Sequence, residues 1–386
     1  MLNAQPMRRI PAITSAFGFA LAFVAAVLGS LASGSADEPS IGVNRVNLAW
    51  APPEVREAIL QEMAVNSVRL VRLSLVPPFA DSVDAVRTAA RLGMRVVLVV
   101  SFNNKDFYPA GAEKRSGRGR TWDVYRLSDI DPERFRDAFR RALRSIDDAG
   151  VSLLAIQPGN EINWGGFNGD LVVHAAEDAP TPRSSSDLSF PSRFEHGLDA
   201  YVQITRIVRE EIARTAHNRG AQVLAAGLSD ISAAIADDRG IETVDASDVV
   251  ALLRARDIDD AVDGYGVHLY PDQSVTADER QRRIGSAVSY CREPVSGKPC
   301  WITEWGLANA SVACPLDDDR RSRIAGEVRT LFDALIREGR VVGALYYDWD
   351  TNLPYSVWRC GSLTPTGRVA IGDPGETGLP LRSGPP

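Results

Sequence analysis

Two glutamates each follow a short apolar run, at positions far apart in the chain. The first lies in Ala155-Ile-Gln-Pro-Gly-Asn-Glu-Ile-Asn-Trp164, where the run ends at a Pro-Gly pair and then presents Asn160 and Glu161. The second, Glu304, comes at the end of Cys300-Trp-Ile-Thr-Glu. Two carboxyl groups can act as a general acid and a nucleophile when one holds a proton and the other is ionised. The pattern therefore predicts a paired-carboxylate site, provided that the fold brings the two runs together.

The elements that would position these glutamates alternate along the chain. Helices are predicted at about 52–64, 82–92, 131–149, 193–218, 247–256, 276–290 and 318–338, the third opening with the N-cap Asp131. Strands are predicted at 43–50, 67–75, 94–100, the run before Glu161, 223–228, 262–268, 299–303 and 341–347. This alternation favours a parallel α/β sheet, and the number of strands suits closure into a (β/α)8 TIM barrel. A barrel places the carboxyl ends of its strands on one rim, where both glutamates would then lie.

An open, doubly wound sheet is the alternative architecture. It would carry a Gly-rich phosphate-binding turn after the first strand, and Asn47-Leu-Ala-Trp50 contains no glycine. Two connections, 103–129 and 163–192, are longer than simple links between elements. On the rim of a barrel they would wall a substrate cleft or form a lid, and the alternative is surface decoration without a role.

Charge and composition exclude some classes of function. The chain of 386 residues has a formal net charge of -7, with acidic and basic residues interspersed. Nucleic-acid binding would require a basic face or stripe, so an uncharged or weakly charged substrate fits better. Four scattered histidines and the lack of a CxxC spacing argue against a zinc site, and we expect neither a metal nor a cofactor.

The first residues have the order of an export signal. Arg8 and Arg9 precede a charge-free run over 10–36 that ends in small residues, which predicts a secretory signal peptide. The run is also long enough to remain as an uncleaved membrane anchor. We therefore divide the chain into a signal peptide or anchor (1–36), a catalytic barrel (37–372) and a disordered tail (373–386). The protein would be secreted or periplasmic, or held at a membrane through its first segment if that segment is not cleaved.

Four cysteines in an exported protein favour disulfide bonds. Cys291 and Cys300 flank a turn and could close a small loop. Cys314 and Cys360 each follow one of the last two predicted strands, so they could join neighbouring loops. Free buried thiols are the alternative.

The motifs at successive strand ends resemble those of retaining glycoside hydrolases of clan A, the cellulase-like (β/α)8 superfamily. The resemblance lies in Gly159-Asn-Glu161, His268-Leu-Tyr270, Thr303-Glu-Trp305 and Trp349, and it spans nearly the whole predicted barrel. It implies that Glu161 is the general acid/base and Glu304 the nucleophile. These enzymes need two carboxyl groups about 5.5 Å apart.

The same resemblance implies roles for further residues. Asn160 would contact the 2-hydroxyl of the reacting sugar, Tyr270 would hydrogen-bond the nucleophile, and His268 would line the pocket. Trp349 would be the apolar floor beneath the sugar. Arg72 would lie beside the nucleophile, with Arg69 as a competitor on the opposite face of the same strand.

Other polar and aromatic residues near the predicted rim are candidates for sugar contacts. Where many members of the clan have a histidine after strand three, this chain has Asn103 and Asn104, either of which could contact a sugar. The tryptophans Trp50, Trp122, Trp164 and Trp305 could be sugar platforms or packing residues.

The sequence thus predicts hydrolysis, with retention, of a β-linked polysaccharide or oligosaccharide. Two alternatives remain open. A non-catalytic carbohydrate-binding barrel would use the same carboxylates to bind hydroxyls, and a transglycosylase would pass the sugar from Glu304 to another sugar.

Overall fold

The structure is a computed structural model, which describes residues 40–116, 122–173, 185, 188–231, 233–293, 297–309, 311–314 and 318–372. The predicted signal or anchor (1–36) and the predicted tail (373–386) lie outside the described residues. Within the described ranges, no helix is both long enough and apolar enough to cross a membrane.

The strands form one curled parallel sheet. Its order is β5-β4-β3-β2-β1-β9-β8-β7-β6, so the two ends of the sheet are β5 and β6. The strands are β1 (Ile41–Asn44), β2 (Leu70–Leu75), β3 (Arg95–Val100), β4 (Ala155–Pro158), β5 (Gln222–Val223), β6 (Leu228–Ser229), β7 (Tyr265–Leu269), β8 (Cys300–Trp305) and β9 (Val341–Tyr346).

The sheet closes because β5 and β6 belong to one stretch of chain, 222–229. β5 pairs with β4, and β6 pairs with β7. Between them, parallel bridges join Leu224 to Gly264 and Gly227 to Asn160. The prediction of a (β/α)8 barrel is therefore confirmed, with the predicted fifth strand present as two short pieces.

Helices connect the strands and cover the outside of the barrel. They are α1 (Pro53–Val65), α2 (Phe79–Arg91), α3 (Pro132–Asp147), α4 (Pro191–Ala213), α5 (Ala233–Arg239), α6 (Ala246–Arg254), α7 (Ala277–Ala287), α8 (Asp319–Arg337) and α9 (Pro365–Ile371). The sequence signals for α3 are used as predicted, because the Asp131 side chain accepts hydrogen bonds from the backbone N–H groups of Glu133 and Arg134. The helices α5 and α9 were not predicted, and neither was the hairpin of β10 (Trp358–Arg359) and β11 (Ser362–Leu363).

Two apolar clusters hold the barrel together. The larger lies between the sheet and the helices, and the smaller one lies inside the barrel. Leu70 and Ala155 of the inner cluster stand two residues before Arg72 and Gln157, so they share the inward face of their strands. The lower half of the barrel is thus apolar and the upper half polar. Trp301, the largest side chain of the inner cluster, is fully buried.

The described parts of the two long connections pack against each other on the rim. The Gly169 N–H donates to the Tyr125 carbonyl at 3.0 Å, and the Ser128 hydroxyl donates to Asp170 at 2.6 Å. The indole of Trp122, in the first connection, packs edge-on against that of Trp164, in the second, with ring centroids 6.3 Å apart. These contacts join the loop after β3 to the loop after β4.

All four cysteines form disulfide bonds, as the sequence predicted. Cys291 pairs with Cys300 and closes the turn before β8. Cys314 pairs with Cys360 across a sequence separation of 46, and so links the loop after β8 to the β10–β11 hairpin.

Candidate active site

A sharp turn after β4 presents Glu161 to the mouth of the barrel. Gly159 has φ 79°, and a Cβ there would lie 2.6 Å from the Phe102 ring. Glu161 itself has φ 42°, in the left-handed region that a glutamate rarely adopts. Such a conformation costs about 1–3 kcal/mol and is found mostly at functional sites. The Glu161 N–H donates to the Gly227 carbonyl at 2.8 Å, which helps to hold the turn.

A register shift in β8 presents Glu304. The pairing of β8 is irregular against both neighbours, between Ile302 and Trp305 on the β9 side and opposite Val267 and His268 on the β7 side. A bulge interrupts the alternation of a strand. Thr303 and Glu304 can therefore both make hydrogen bonds inside the barrel although they are consecutive.

The two glutamates meet across the mouth of the barrel. One carboxylate oxygen of Glu161, one of Glu304 and a ring nitrogen of His268 all lie within 4.8 Å of one another. Both glutamates are buried. This separation suits a carboxylate that attacks directly, since inverting enzymes keep their carboxyl groups about 6.5–9.5 Å apart to admit a water.

The surroundings of Glu304 keep it ionised. Arg72 Nη1 donates to its Oε1 at 2.6 Å, and the Tyr270 hydroxyl donates to its Oε2 at 2.9 Å. Burial by itself would raise the pKa of Glu304, but the charges of His268 and Arg72, together with the Tyr270 and Arg72 hydrogen bonds, outweigh burial and lower the pKa. A lowered pKa is what a carboxylate nucleophile requires.

His268 lies between the two carboxylates. Its Nδ1 shares a hydrogen bond with Glu161 Oε1 at 2.8 Å and lies 3.6 Å from Glu304 Oε2. The ring is fully buried against Gly227, where a Cβ would come within 2.0 Å of Nε2. The close approach of the backbone at Gly227 is therefore what makes room for the imidazole.

Arg72, and not Arg69, faces the inside of the barrel. Arg72 is fully buried and bonds to Asn160 Oδ1 at 2.7 Å as well as to Glu304, whereas Arg69 is exposed. One guanidinium thus connects Glu304 with Asn160, the residue that precedes Glu161. The sequence placed these residues in one site, and the structure brings them together.

The predicted sugar contact of Trp349 is wrong, and of the two roles left open for Trp305 the structure shows packing, because both side chains belong to the core. Trp349 is 0% exposed, stacked on Trp358 with ring centroids 5.4 Å apart. Trp305 is equally buried and packs edge-on against Phe332 and Tyr346. Neither indole has a face that a sugar could reach.

Tyr347, which no sequence pattern singled out, lies beside the candidate site, because its ring packs against that of Tyr270. It follows β9 directly and packs edge-on against Tyr270 and Tyr355, with ring centroids 6.2 Å apart in both pairs. Burial, and then the nearby charge of Glu304, raise the pKa of Tyr347. The hydroxyphenyl ring is half-buried. Its position next to the last barrel strand was a signal that could have found it.

The remaining predicted contacts lie around the rim. Asn103 is half-buried and its Nδ2 donates to the Asp123 carbonyl at 3.3 Å, while Asn104 is buried and caps a short 3-10 helix through Asp106 N–H. Trp164 is half-buried. Trp122 is 43% exposed and Trp50 is 64% exposed.

The two exposed tryptophans have fixed orientations. The indole N–H of Trp50 donates to the Pro77 carbonyl at 3.1 Å, and that of Trp122 to the Gly166 carbonyl at 2.8 Å. In each ring the indole N–H is therefore already hydrogen-bonded, while part of the ring stays exposed.

Glu161, His268 and Glu304 are also the kind of residues that can bind a metal ion. The Arg72 guanidinium, however, already lies 2.6 Å from Glu304 and balances its charge. A divalent cation would have to approach that guanidinium closely, so we place no metal in the cluster.

Comparisons with known proteins identify the fold and nothing finer. No protein-family model matches the sequence, and no curated protein matches it either. Among solved structures, a fungal β-1,4-galactanase is similar with a TM-score of 0.52 at 12% identity, covering 91% of this chain and 96% of the galactanase. The AHE enzyme from Alicyclobacillus herbarius has a TM-score of 0.52 at 11% identity, covering 86% of this chain and 97% of that enzyme.

An endo-1,4-β-D-mannanase from Thermotoga petrophila is more distant, with a TM-score of 0.48 at 13% identity, covering 86% of this chain and 98% of the mannanase. The similarity to the galactanase and to the AHE enzyme supports the (β/α)8 barrel fold of this chain.

Proposed function

We propose that the protein is a retaining glycoside hydrolase, with Glu161 as general acid/base and Glu304 as nucleophile. The observation that carries the proposal is the pairing of two buried carboxylates within 4.8 Å in unlike surroundings. Glu304 is held ionised by Arg72 and the Tyr270 hydroxyl. Glu161 has no cation from Arg or Lys within ion-pair distance among the described residues, and its contact is with His268.

The reaction takes two steps. In the first, Glu304 attacks the anomeric carbon and forms a glycosyl ester, while the glycosidic C–O bond breaks and Glu161 gives its proton to the leaving oxygen. In the second, a water oxygen bonds to the same carbon, Glu161 takes the proton of the water, and the ester bond to Glu304 breaks. The substrate and the product thus have the same anomeric configuration.

The other site residues suit a sugar bound between the two carboxylates. Asn160, oriented by Arg72, is the contact that we propose for the 2-hydroxyl. Tyr347 is the ring that we propose as the floor beneath the reacting sugar, in the role first predicted for Trp349. Trp122 and Trp50 offer fixed, exposed indole faces for further sugar units of a polymer.

The proposed substrate is a neutral β-linked polysaccharide or oligosaccharide. It suits the chain's net charge of -7, which would repel an acidic polymer. Two disulfide bonds are typical of oxidising compartments outside the cytosol, so we propose that the protein is exported, either released or held at a membrane by its first segment.

The test is intact-protein mass spectrometry after incubation with a panel of 2-deoxy-2-fluoro glycosides, which slow breakdown of the ester and trap it. We expect one added glycosyl mass that maps to Glu304. Glu304→Ala should lose the label and turnover, the latter by about 10⁴-fold or more, as removal of a nucleophile does. Glu161→Ala should still be labelled by glycosides with good leaving groups and should be partly rescued by azide.

Glu327→Ala, on the outer helix α8, is the matched control and should be labelled at the normal rate. Wild-type rates in Glu304→Ala or Glu161→Ala would refute the assignment. No label from any sugar, in protein shown to be folded, together with binding on a glycan array, would favour the non-catalytic barrel. Products longer than the substrate would favour the transglycosylase.

A further inference from the structure

The Arg72 guanidinium is bonded at all three of its nitrogens inside the barrel. Nη1 donates to Glu304 at 2.6 Å and Nη2 to Asn160 at 2.7 Å. The remaining bonds go to two amides that the predicted chemistry does not use, from Nε to Gln157 Oε1 at 2.9 Å and from Nη1 to Asn44 Oδ1 at 3.0 Å. Half of the partners of Arg72 therefore lie outside the candidate site.

Both amides are held firmly on their other side. Gln157 Nε2 donates to Thr303 Oγ1 at 3.2 Å and to the Ala225 carbonyl at 3.1 Å. Asn44 Nδ2 donates to the Thr303 carbonyl at 2.9 Å. Because an arginine only donates and a carbonyl only accepts, each amide must turn its oxygen to Arg72 and its nitrogen away. Both side chains are fully buried, and both are tied to the residue that precedes the nucleophile.

The fold makes room for this arrangement. A Cβ at position 266 of β7 would lie 2.2 Å from Gln157 Nε2, so Gly266 leaves the space that the amide occupies. Asn44 and Gln157 stand on β1 and β4, at either side of β2 and β3 in the sheet. They therefore hold the guanidinium from two directions.

The neutrality of the amides matters for the charge of Arg72. An apolar side chain at either position would leave a buried donor unpaired, which is unfavourable. A carboxylate would accept the same hydrogen bond, but it would place a second negative charge on the guanidinium that Glu304 shares. An amide avoids both penalties, since its oxygen accepts a bond without carrying a full charge.

We propose that Asn44 and Gln157 are positioning residues, two neutral amides that hold the Arg72 guanidinium against Glu304 and Asn160 while leaving its charge to Glu304. Their use in catalysis rests on the proposed function. Their effect on the ionisation of Glu304 does not, because it follows from the contacts alone.

The ionisable groups that face Glu304 are few and come from four elements. Arg72 approaches it from β2, His268 from β7 and Tyr270 from the turn after β7. Glu161 faces it from the turn after β4, and Tyr347 lies beyond the end of β9. A change at Gln157 would reach Glu304 through Arg72, the one member of this set that Gln157 contacts directly.

The experiment is a pH titration of Glu304 in the full-length protein by NMR with ¹³C-labelled glutamate. The signal of Glu304 is assigned by its loss in Glu304→Gln. We expect Gln157→Glu to raise the pKa of Glu304 by about one unit, a ten-fold change in its ionisation constant, because the new carboxylate competes for Arg72. Gln222→Glu is the matched control, since Gln222 accepts from Trp301 at the lower end of the barrel, and it should leave the pKa of Glu304 unchanged.

Asn44→Asp tests the proposal from the other side of the guanidinium and should shift the pKa in the same direction, so either folded variant decides. An unshifted Glu304 in folded Gln157→Glu or Asn44→Asp protein would overturn the proposal. So would an equal shift in Gln222→Glu. The titration needs no substrate, so a failure of fluoro-sugar labelling would reject the proposed hydrolase and leave this result standing.

Discussion

Removal of the Tyr270 hydroxyl directly tests the charge state of Glu304, the proposed nucleophile. The ring is 39% exposed, yet its oxygen donates to Glu304 at 2.9 Å. Tyr270→Phe removes that donor and keeps the ring, so the lowered pKa of Glu304 should rise by about one unit, given the usual strength of a hydrogen bond to a charged group. Because Glu304 must be ionised to attack, the acid limb of labelling against pH should move to higher pH.

Tyr355→Phe is the control for this variant, since Tyr355 packs edge-on against Tyr270 at 5.4 Å and its hydroxyl is not a partner of Glu304 among the bonds described. An unmoved acid limb in Tyr270→Phe would contradict the prediction. The lowered pKa of Glu304 also makes the stability of the protein depend on pH. A carboxylate with a lowered folded pKa stabilises the protein fully above the ordinary glutamate range, and this contribution is lost as the pH falls through the folded pKa.

At the scale of elements, the barrel depends on the close approach of the chain before β6 to β7. Gly227→Ala would place a Cβ 2.0 Å from His268 Nε2, so the imidazole must move from between the two glutamates. We expect a loss of about 1–3 kcal/mol of stability, as for other overpacked cores, together with slower labelling of Glu304. A Cβ at Gly220 would have no neighbour within 4 Å, so Gly220→Ala should leave both the stability and the labelling rate nearly unchanged. A Gly227→Ala protein with normal melting and labelling would show that the ring has room to shift.

Much of the barrel could be predicted from alternating patterns, because β-branched runs such as the one in β3 and helix caps such as Asp131 are local signals. The burial of Trp349 could not, since it depends on Trp358 from a hairpin that no local pattern announced. The split of the fifth strand arises because 222–229 must pair with β4 and then with β7. Gln157 and Asn44 could have been predicted as site residues, because they are polar residues on the inward face of buried strands.

At the scale of the whole molecule, the two disulfide bonds should differ in their response to reductant. Cys314 and Cys360 are exposed, whereas Cys291 and Cys300 are buried. Because thiolate attack requires access, mild reductant should open Cys314–Cys360 first. That bond spans a separation of 46, and in the loop-closure model its loss costs about 4 kcal/mol of stability.

Alkylation followed by mass spectrometry, at increasing reductant, gives the order of opening, and a melting curve of the partly reduced protein gives the cost. Opening of Cys291–Cys300 first, under native conditions, would contradict the prediction.

The apolar lower half of the barrel, which includes Trp301, also limits the routes by which molecules reach and leave the glutamates. The buried apolar side chains packed there leave the mouth as the way in and out. On the proposed mechanism, the water that completes hydrolysis must then enter through the opening that the departing saccharide has just used. The residence time of that saccharide therefore competes with the arrival of water, so slow departure would favour its return onto the glycosyl ester and rapid departure would favour hydrolysis.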